Sequence, residues 1–90
     1  ITVNKRSIGE GHPVYIVAEM SANHGGSLEK AKRIIDAAKR TGADAIKLQT
    51  YKASTITLQS DREDFKLPVD SPWRDSKTLY DLYDEAHTPW

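Results

Sequence analysis

The stretch VYIVAEMSANHGGSLEKAKRIIDAAKRTGADAIKLQT, residues 14–50, decides the fold of this chain. Its first seven residues, 14–20, are apolar on both faces except at Glu19, a pattern typical of a strand buried in a parallel sheet. After Ser27, apolar and charged residues separate onto opposite faces at helical spacing. Residues 45–50 resume a strand pattern. The stretch therefore predicts a βαβ unit with two neighbouring parallel strands.

Outside this unit the sequence predicts a short hairpin, a long loop and a second helix. Residues 1–9 place a turn-forming segment between two small apolar segments, which predicts an N-terminal β-hairpin. Residues 52–75 are mostly polar, charged or interrupted by proline, and a loop of this length is usually functional or disordered. Residues 78–86 carry apolar side chains at i, i+3, i+4 and i+7, which predicts a helix.

Composition excludes several classes of protein. The chain has 90 residues, 13 basic and 13 acidic side chains and no cysteine, so disulfides and cysteine-based zinc sites are excluded. A net charge of zero gives no electrostatic basis for binding nucleic acid or an anionic membrane. Its three histidines lack metal-ligand spacing, so we expect no metal ligand in this segment. Because no apolar run approaches a membrane span and residues 1–6 do not resemble a signal peptide, we expect a cytoplasmic protein.

The predicted elements form an incomplete α/β fold. Two parallel strands with one or two helices do not cover both faces of a parallel sheet, so further elements must do so. The order fits the start of a (β/α)8 barrel, and a doubly wound sheet fits nearly as well by pattern alone. Against the latter, the first βα turn, residues 23–26, reads NHGG and lacks a G-x-G-x-x-G. We expect residues 1–90 to be the N-terminal part of a TIM barrel.

Glu19 and Lys47 are the strongest candidates for chemistry. An ionised side chain within an apolar strand is costly unless it is paired or performs a function. If both side chains face the same side of adjacent strands, which lie about 4.8 Å apart, they can contact each other. Such a pair can hold an anionic substrate and direct protons. The alternatives are a buried structural ion pair, or side chains that face outward.

Polar residues beyond the strand ends are secondary candidates. Gln49 shares a face with Lys47 and can bind a sugar hydroxyl or acetamido group, or instead cap loop backbone. Residues 23–26 precede a helix N-terminus, which favours an anion; the alternative is that the glycines are only turn formers. His24 is a candidate for orienting a neighbour or acting as a general acid; the alternative is an ordinary surface histidine.

The long loop contributes two more candidates. Trp73 and Arg74 are placed to close over a substrate, or Trp73 only packs the loop onto the second helix. Tyr80 and Tyr83 fit packing of that helix better than stacking on a ligand.

The motifs A-E-x-x-x-N-H, within residues 15–27, and K-x-Q-T, within residues 42–51, closely resemble the N-terminus of the sialic acid synthase family. Trp73 and residues 78–83 and 86–90 are most similar to the pseudaminic acid synthase branch of that family. The resemblance covers nearly all of this chain but only about the first quarter of such an enzyme.

The resemblance implies a TIM-barrel transferase of carbohydrate biosynthesis. Such an enzyme condenses phosphoenolpyruvate with an open-chain N-acetylated amino sugar and releases phosphate by C–O cleavage. It implies a divalent metal, Mn²⁺ or Mg²⁺, whose ligands lie outside this segment, and a homodimer. The segment alone is therefore expected to be inactive.

The resemblance also implies residue roles. Lys47 matches the family lysine that contacts phosphoenolpyruvate, and Glu19 matches the carboxylate that handles a proton or a sugar hydroxyl. The implied sugar contacts are Gln49, Asn23 and Arg74, the last standing where the sialic acid branch usually has Asn, which favours a different sugar. The alternatives are an N-acetylneuraminate or legionaminate synthase, another barrel enzyme acting on a phosphorylated sugar, and a noncatalytic scaffold.

Overall fold

The chain begins with the predicted hairpin. The structure, a computed structural model, describes residues 1–73, 75 and 78–90. Strands β1 (Thr2–Val3) and β2 (Arg6–Ser7) pair antiparallel. Asn4 and Lys5 connect them with φ angles of 48° and 65°, as in a type I′ turn, whose twist matches that of the strands.

The βαβ prediction is confirmed. Strand β3 (Val17–Glu19) and strand β4 (Ala45–Lys47) pair parallel, and helix α1 (Leu28–Arg40) connects them. Both strands are shorter than the predicted segments 14–20 and 45–50. The reason is that ladder pairing is present only where the two segments face each other, and no third strand in the described part of the chain extends either of them.

Local chemistry fixes both ends of α1. The Ser27 hydroxyl accepts a hydrogen bond from the Lys30 N–H at 3.2 Å, a cap that contributes about 1 kcal/mol. Glu29 lies in the first turn and two cations lie in the last, and each favours its end of the helix dipole. Gly42 follows the helix with a φ of 90°, the left-handed conformation in which glycine is favoured, so the predicted helix end is confirmed.

Helix α1 covers one face of the two-stranded sheet. Ile35 and Ala38 of α1 line a shallow pocket together with Ile46 of β4. Because side chains alternate along a strand, Lys47 projects from the opposite face, and so does its register partner Glu19. The face that carries the acid and the amine is thus the face without the helix.

The segment predicted as a loop over residues 52–75 contains helical turns. Helix α2 (Ala53–Ile56) and a 3₁₀ helix at Glu63–Phe65 lie within it. Each is only one turn, too short for the sequence to show apolar periodicity. The prediction of an uninterrupted loop was therefore wrong for these residues.

Helix α3 (Leu79–Ala86) is confirmed close to its predicted bounds. A reciprocal capping box starts it: the Thr78 hydroxyl accepts from the Asp81 N–H, and the Asp81 carboxylate accepts from the Thr78 N–H. Tyr83 packs edge-to-face on Tyr51 with ring centroids 5.9 Å apart, so its packing role is as predicted. Burial raises the pKa of the Tyr51 phenol, and the adjacent Tyr83 phenol raises it further.

A polar cluster ties the hairpin to the amino ends of β3 and β4. One Asp44 carboxylate oxygen pairs with the Arg6 guanidinium, and the other accepts from the Ile16 N–H at 2.7 Å. Arg6 also donates to the Val14 carbonyl at 3.0 Å and lies over the Tyr15 ring, 5.3 Å from its centroid. The cluster fixes the register of the two strands from the edge opposite to Glu19 and Lys47.

Loss of this cluster should destabilise the protein. We expect Asp44→Ala to lower the free energy of unfolding by about 1–3 kcal/mol, because the Ile16 N–H and the Arg6 guanidinium lose their acceptor. Asp44→Asn keeps a neutral acceptor and should lose less. Urea denaturation followed by tryptophan fluorescence measures both, with Asp36→Ala on the exposed face of α1 as control. Equal stability of Asp44→Ala and the parent protein would contradict a stabilising role for the cluster.

The core of the described residues is small. Met20, Ala53 and Ala86 are its buried apolar side chains, and Val17 of β3 is 50% exposed. The radius of gyration is 16.7 Å, whereas a compact domain of this length has roughly 12 Å. The chain thus leaves open the face of β3 that carries Val17 and Glu19, contrary to the strand buried on both faces that its sequence predicts. In the described part of the chain, no helix has the length and apolar character needed to cross a bilayer.

Candidate active site

Glu19 and Lys47 are direct partners on the parallel ladder. Register pairs Glu19 with Lys47 at the carboxyl ends of β3 and β4, and the Lys47 ammonium forms an ion pair with the Glu19 carboxylate. The two side chains lie on the same face, as the sequence analysis required for a shared pocket. Both side chains project from the face of the sheet opposite α1.

The ion pair is accessible. The side chains of Glu19 and Lys47 are 52% and 54% exposed. An exposed pair of this kind contributes only about 0–1 kcal/mol to stability. Within this chain the pair is therefore open to a small ligand.

Met20 joins the strand end to the turn that carries Asn23. The Met20 N–H donates to the Lys47 carbonyl at 3.1 Å, and its fully buried side chain anchors this point. The Met20 carbonyl accepts from both the backbone N–H and the side-chain amide of Asn23, at 3.2 and 3.0 Å. Asn23 is thus exposed beside the strand ends, with its amide nitrogen held by the turn.

His24 is buried, which the sequence did not predict. It is 3% exposed, so the reading of an ordinary surface histidine was wrong. The Gly26 N–H donates to His24 Nδ1 at 2.9 Å, and the Thr88 hydroxyl lies 3.5 Å from Nε2. Gly25 and Gly26 have φ angles of 54° and 73°, so their role as turn formers is confirmed.

Gln49 lies just beyond the end of β4 and is partly buried. Its carbonyl accepts from the Thr88 N–H at 2.9 Å. In the described part of the chain its side-chain amide has no hydrogen bond to backbone, so the structure does not favour the capping alternative for this amide.

The long loop is described only in part. Arg74, the remaining predicted sugar contact, lies outside the described residues. Trp73 is partly buried and lines a pocket with Pro72, Asp75 and Glu85 of α3. This position agrees with the reading in which Trp73 packs the loop onto the second helix.

Two features of the site were not foreseen. The contact between His24 and Thr88 joins residues 64 positions apart, and no local pattern signals such a contact. The cluster around Asp44 was also missed, although an acidic residue directly before a strand is a usable signal for backbone capping at its start. The contact between His24 and Thr88 lies beside the strand ends from which the candidate residues project, whereas the Asp44 cluster lies at the opposite edge of the sheet.

The acid and the amine stand together at the carboxyl ends of parallel strands, the edge at which α/β folds bind their ligands. The chain belongs to the NeuB family, whose family model matches residues 34–90. The resemblance to the sialic acid synthases is thereby confirmed.

Relatives refine this assignment. The chain is 54% identical over 77 residues to the pseudaminic acid synthase of Campylobacter jejuni, covering 86% of this chain and 22% of the relative. It is 48% identical over 77 residues, with the same coverage, to the pseudaminic acid synthase of Helicobacter pylori. It is also 48% identical over 48 residues to the N,N'-diacetyllegionaminic acid synthase of Legionella pneumophila, covering 53% of this chain and 14% of the relative. The chain thus spans about a fifth of the length of the pseudaminic acid synthases it matches.

Proposed function

We propose that the protein is a nonulosonic acid synthase of the pseudaminic acid type. It would condense phosphoenolpyruvate with an open-chain N-acetylated amino sugar and release phosphate. The observation that carries this proposal is the ion pair of Glu19 and Lys47 at the carboxyl ends of neighbouring parallel strands. The 54% identity to a pseudaminic acid synthase supports the choice among the acids that such enzymes make.

Lys47 and Glu19 have separate roles in the proposed reaction. The Lys47 ammonium binds the anionic phosphoenolpyruvate, and its positive charge stabilises the negative charge of the substrate. The Glu19 carboxylate accepts a proton or binds a sugar hydroxyl. C3 of phosphoenolpyruvate attacks the sugar aldehyde carbon to form the new C–C bond, the aldehyde oxygen takes up a proton, water adds to C2, and the C–O bond to phosphate then breaks.

We propose that residues 1–90 form the start of a (β/α)8 barrel. The open face of β3, the small core and the large radius of gyration support this architecture, because each is what a part of a larger sheet would have. On this architecture Glu19 and Lys47 face the interior, and Asn23 and Gln49 lie at its rim as sugar contacts. Arg74 is proposed as a further sugar contact on the resemblance alone.

The metal and the assembly are proposals as well. The resemblance implies Mn²⁺ or Mg²⁺, but the described part of the chain has no group of three His, Cys, Asp or Glu side chains suited to hold it. We therefore propose that the metal binds to residues of the full-length protein outside this segment. The homodimer and the cytoplasmic location rest on the resemblance and on the sequence analysis.

Product analysis of the full-length protein tests the function. We expect incubation with phosphoenolpyruvate and a panel of diacetamido hexoses and mono-N-acetylated hexosamines to give a nonulosonic acid, detected by mass spectrometry, with a diacetamido sugar preferred. With phosphoenolpyruvate labelled by ¹⁸O at the bridging oxygen, the label should leave in the phosphate, because the C–O bond breaks.

The outcomes separate the alternatives. A preference for a mono-N-acetylated sugar would assign an N-acetylneuraminate synthase, and a preference for a diacetamido sugar of different stereochemistry would assign a legionaminate synthase. Absence of product from every sugar, by a folded protein supplied with Mn²⁺ or Mg²⁺, would contradict the proposal and favour a scaffold. Label retained in the organic product would contradict C–O cleavage.

A further inference from the structure

His24 lies behind the two proposed sugar contacts rather than among them. It directly follows Asn23 in the turn after β3, and its ring is buried. The rim of the pocket around it is lined by Leu28 and Ala31 of α1 and by Trp90. Neither ring nitrogen is free for a substrate, because each has a protein partner.

The hydrogen bonds of His24 define its tautomer. The Gly26 N–H is a donor, so Nδ1 must offer a lone pair and carry no proton. A neutral ring then carries its proton on Nε2, which is the nitrogen facing the Thr88 hydroxyl. This arrangement does not suit a general acid in contact with substrate, and it does suit a fixed link between two segments.

Thr88 continues the link to Gln49. Its hydroxyl faces His24, and its backbone N–H donates to the Gln49 carbonyl at 2.9 Å. A chain of contacts therefore runs from the turn after β3, through His24 and Thr88, to Gln49, which lies two residues after the end of β4. These contacts join the turn that carries Asn23 to the backbone of Gln49. The pairing of β3 with β4 ends at Glu19 and Lys47 and does not by itself connect these two segments.

We propose that His24, neutral and protonated on Nε2, is a positioning residue that sets the spacing between Asn23 and Gln49 and thereby the affinity for the sugar. The inference deepens the proposed function and rests on it for the identity of the ligand. Lys47 and its contact with phosphoenolpyruvate do not depend on this link, because the ladder of β3 and β4 holds Lys47 directly. Loss of the link should therefore affect one substrate and spare the other.

Kinetics of the full-length enzyme test the positioning role. We expect His24→Ala to raise KM for the sugar about tenfold while KM for phosphoenolpyruvate changes less than twofold, since the spacing of the sugar contacts depends on bonds that the variant lacks. His24→Asn keeps an acceptor for the Gly26 N–H and should restore part of the affinity. Thr88→Val removes the hydroxyl but keeps the N–H bond to Gln49 and should raise the same KM. The exposed His12→Asn is the control.

Nitrogen NMR tests the tautomer without any activity. In protein labelled with ¹⁵N-histidine, the two ring nitrogens of His24, assigned by their loss in His24→Asn, should show an unprotonated Nδ1 and a protonated Nε2 at neutral pH. The opposite tautomer would overturn the proposal even if the enzyme forms the expected product. Equal changes in both KM values, or a loss of activity in proportion to the loss of folded protein, would also overturn it. Absence of product in the parent enzyme instead contradicts the proposed function and leaves the tautomer as the deciding result.

Discussion

Replacing Lys47 by alanine is expected to lower kcat/KM for phosphoenolpyruvate on the order of 100-fold, equivalent to about 2.7 kcal/mol. The ammonium is the one cation that the β3 and β4 ladder holds at the carboxyl edge on the face opposite α1, among the residues that the structure describes. Steady-state kinetics with each substrate varied in turn measure the loss.

Two controls separate a binding role from a general loss of charge. Lys32→Ala removes an exposed lysine that also pairs with a glutamate, Glu29, at 3.2 Å on α1, and its kinetics should match those of the parent. Lys47→Arg keeps the charge with a different shape and should retain part of the affinity for phosphoenolpyruvate. If Lys47→Ala leaves the kinetics of both substrates unchanged, Lys47 is not in the site.

Replacing Glu19 by glutamine is expected to lower kcat on the order of 100-fold, because the amide keeps the shape of the carboxylate but does not accept a proton. The KM for phosphoenolpyruvate should not rise, since the substitution removes a negative charge next to Lys47. The melting temperature should stay close to that of the parent, because the amide keeps the shape of the carboxylate and still accepts a hydrogen bond from the Lys47 ammonium.

The matched control is Glu29→Gln, which alters the exposed pair on α1 without reaching the sheet. It should leave both kcat and the melting temperature nearly unchanged. A large fall in the melting temperature of Glu19→Gln with normal turnover would identify the pair of Glu19 and Lys47 as structural instead. Calorimetry and initial-rate kinetics on the same preparations distinguish the two results.

The fold could be predicted where residues of one kind recur at a fixed spacing. Helix α1 shows its apolar face, its Ser27 cap and its final Gly42 in the sequence, and its ends were predicted correctly. The extent of β3 was not, because ladder pairing and burial depend on which segments lie beside a strand, and its own apolar residues do not specify them. The single turn of α2 was missed because four residues carry no periodicity.

The same distinction applies to the candidate site: residues marked by a local pattern were predicted, and residues that depend on distant contacts were not. Glu19 and Lys47 were found because charged residues stand out in apolar strands, and parallel pairing places them together. The burial of His24 depends on Thr88, and the anchoring of the hairpin depends on Arg6 meeting Asp44. These contacts form only after the chain has folded, and the residue types involved are common in loops. A single sequence can mark one such residue, as Asp44 before β4 does, but it does not show which distant residue it meets.

A double-mutant cycle on Glu19→Gln and Lys47→Ala tests most directly whether the acid and the amine act as one site. The measurement is kcat/KM of the parent, the two single variants and the double variant of the full-length enzyme. We expect kcat/KM of the double variant to be close to that of the less active single variant. The coupling energy between the two substitutions should then exceed roughly 1 kcal/mol. Losses that simply add would contradict a shared site at the ends of β3 and β4.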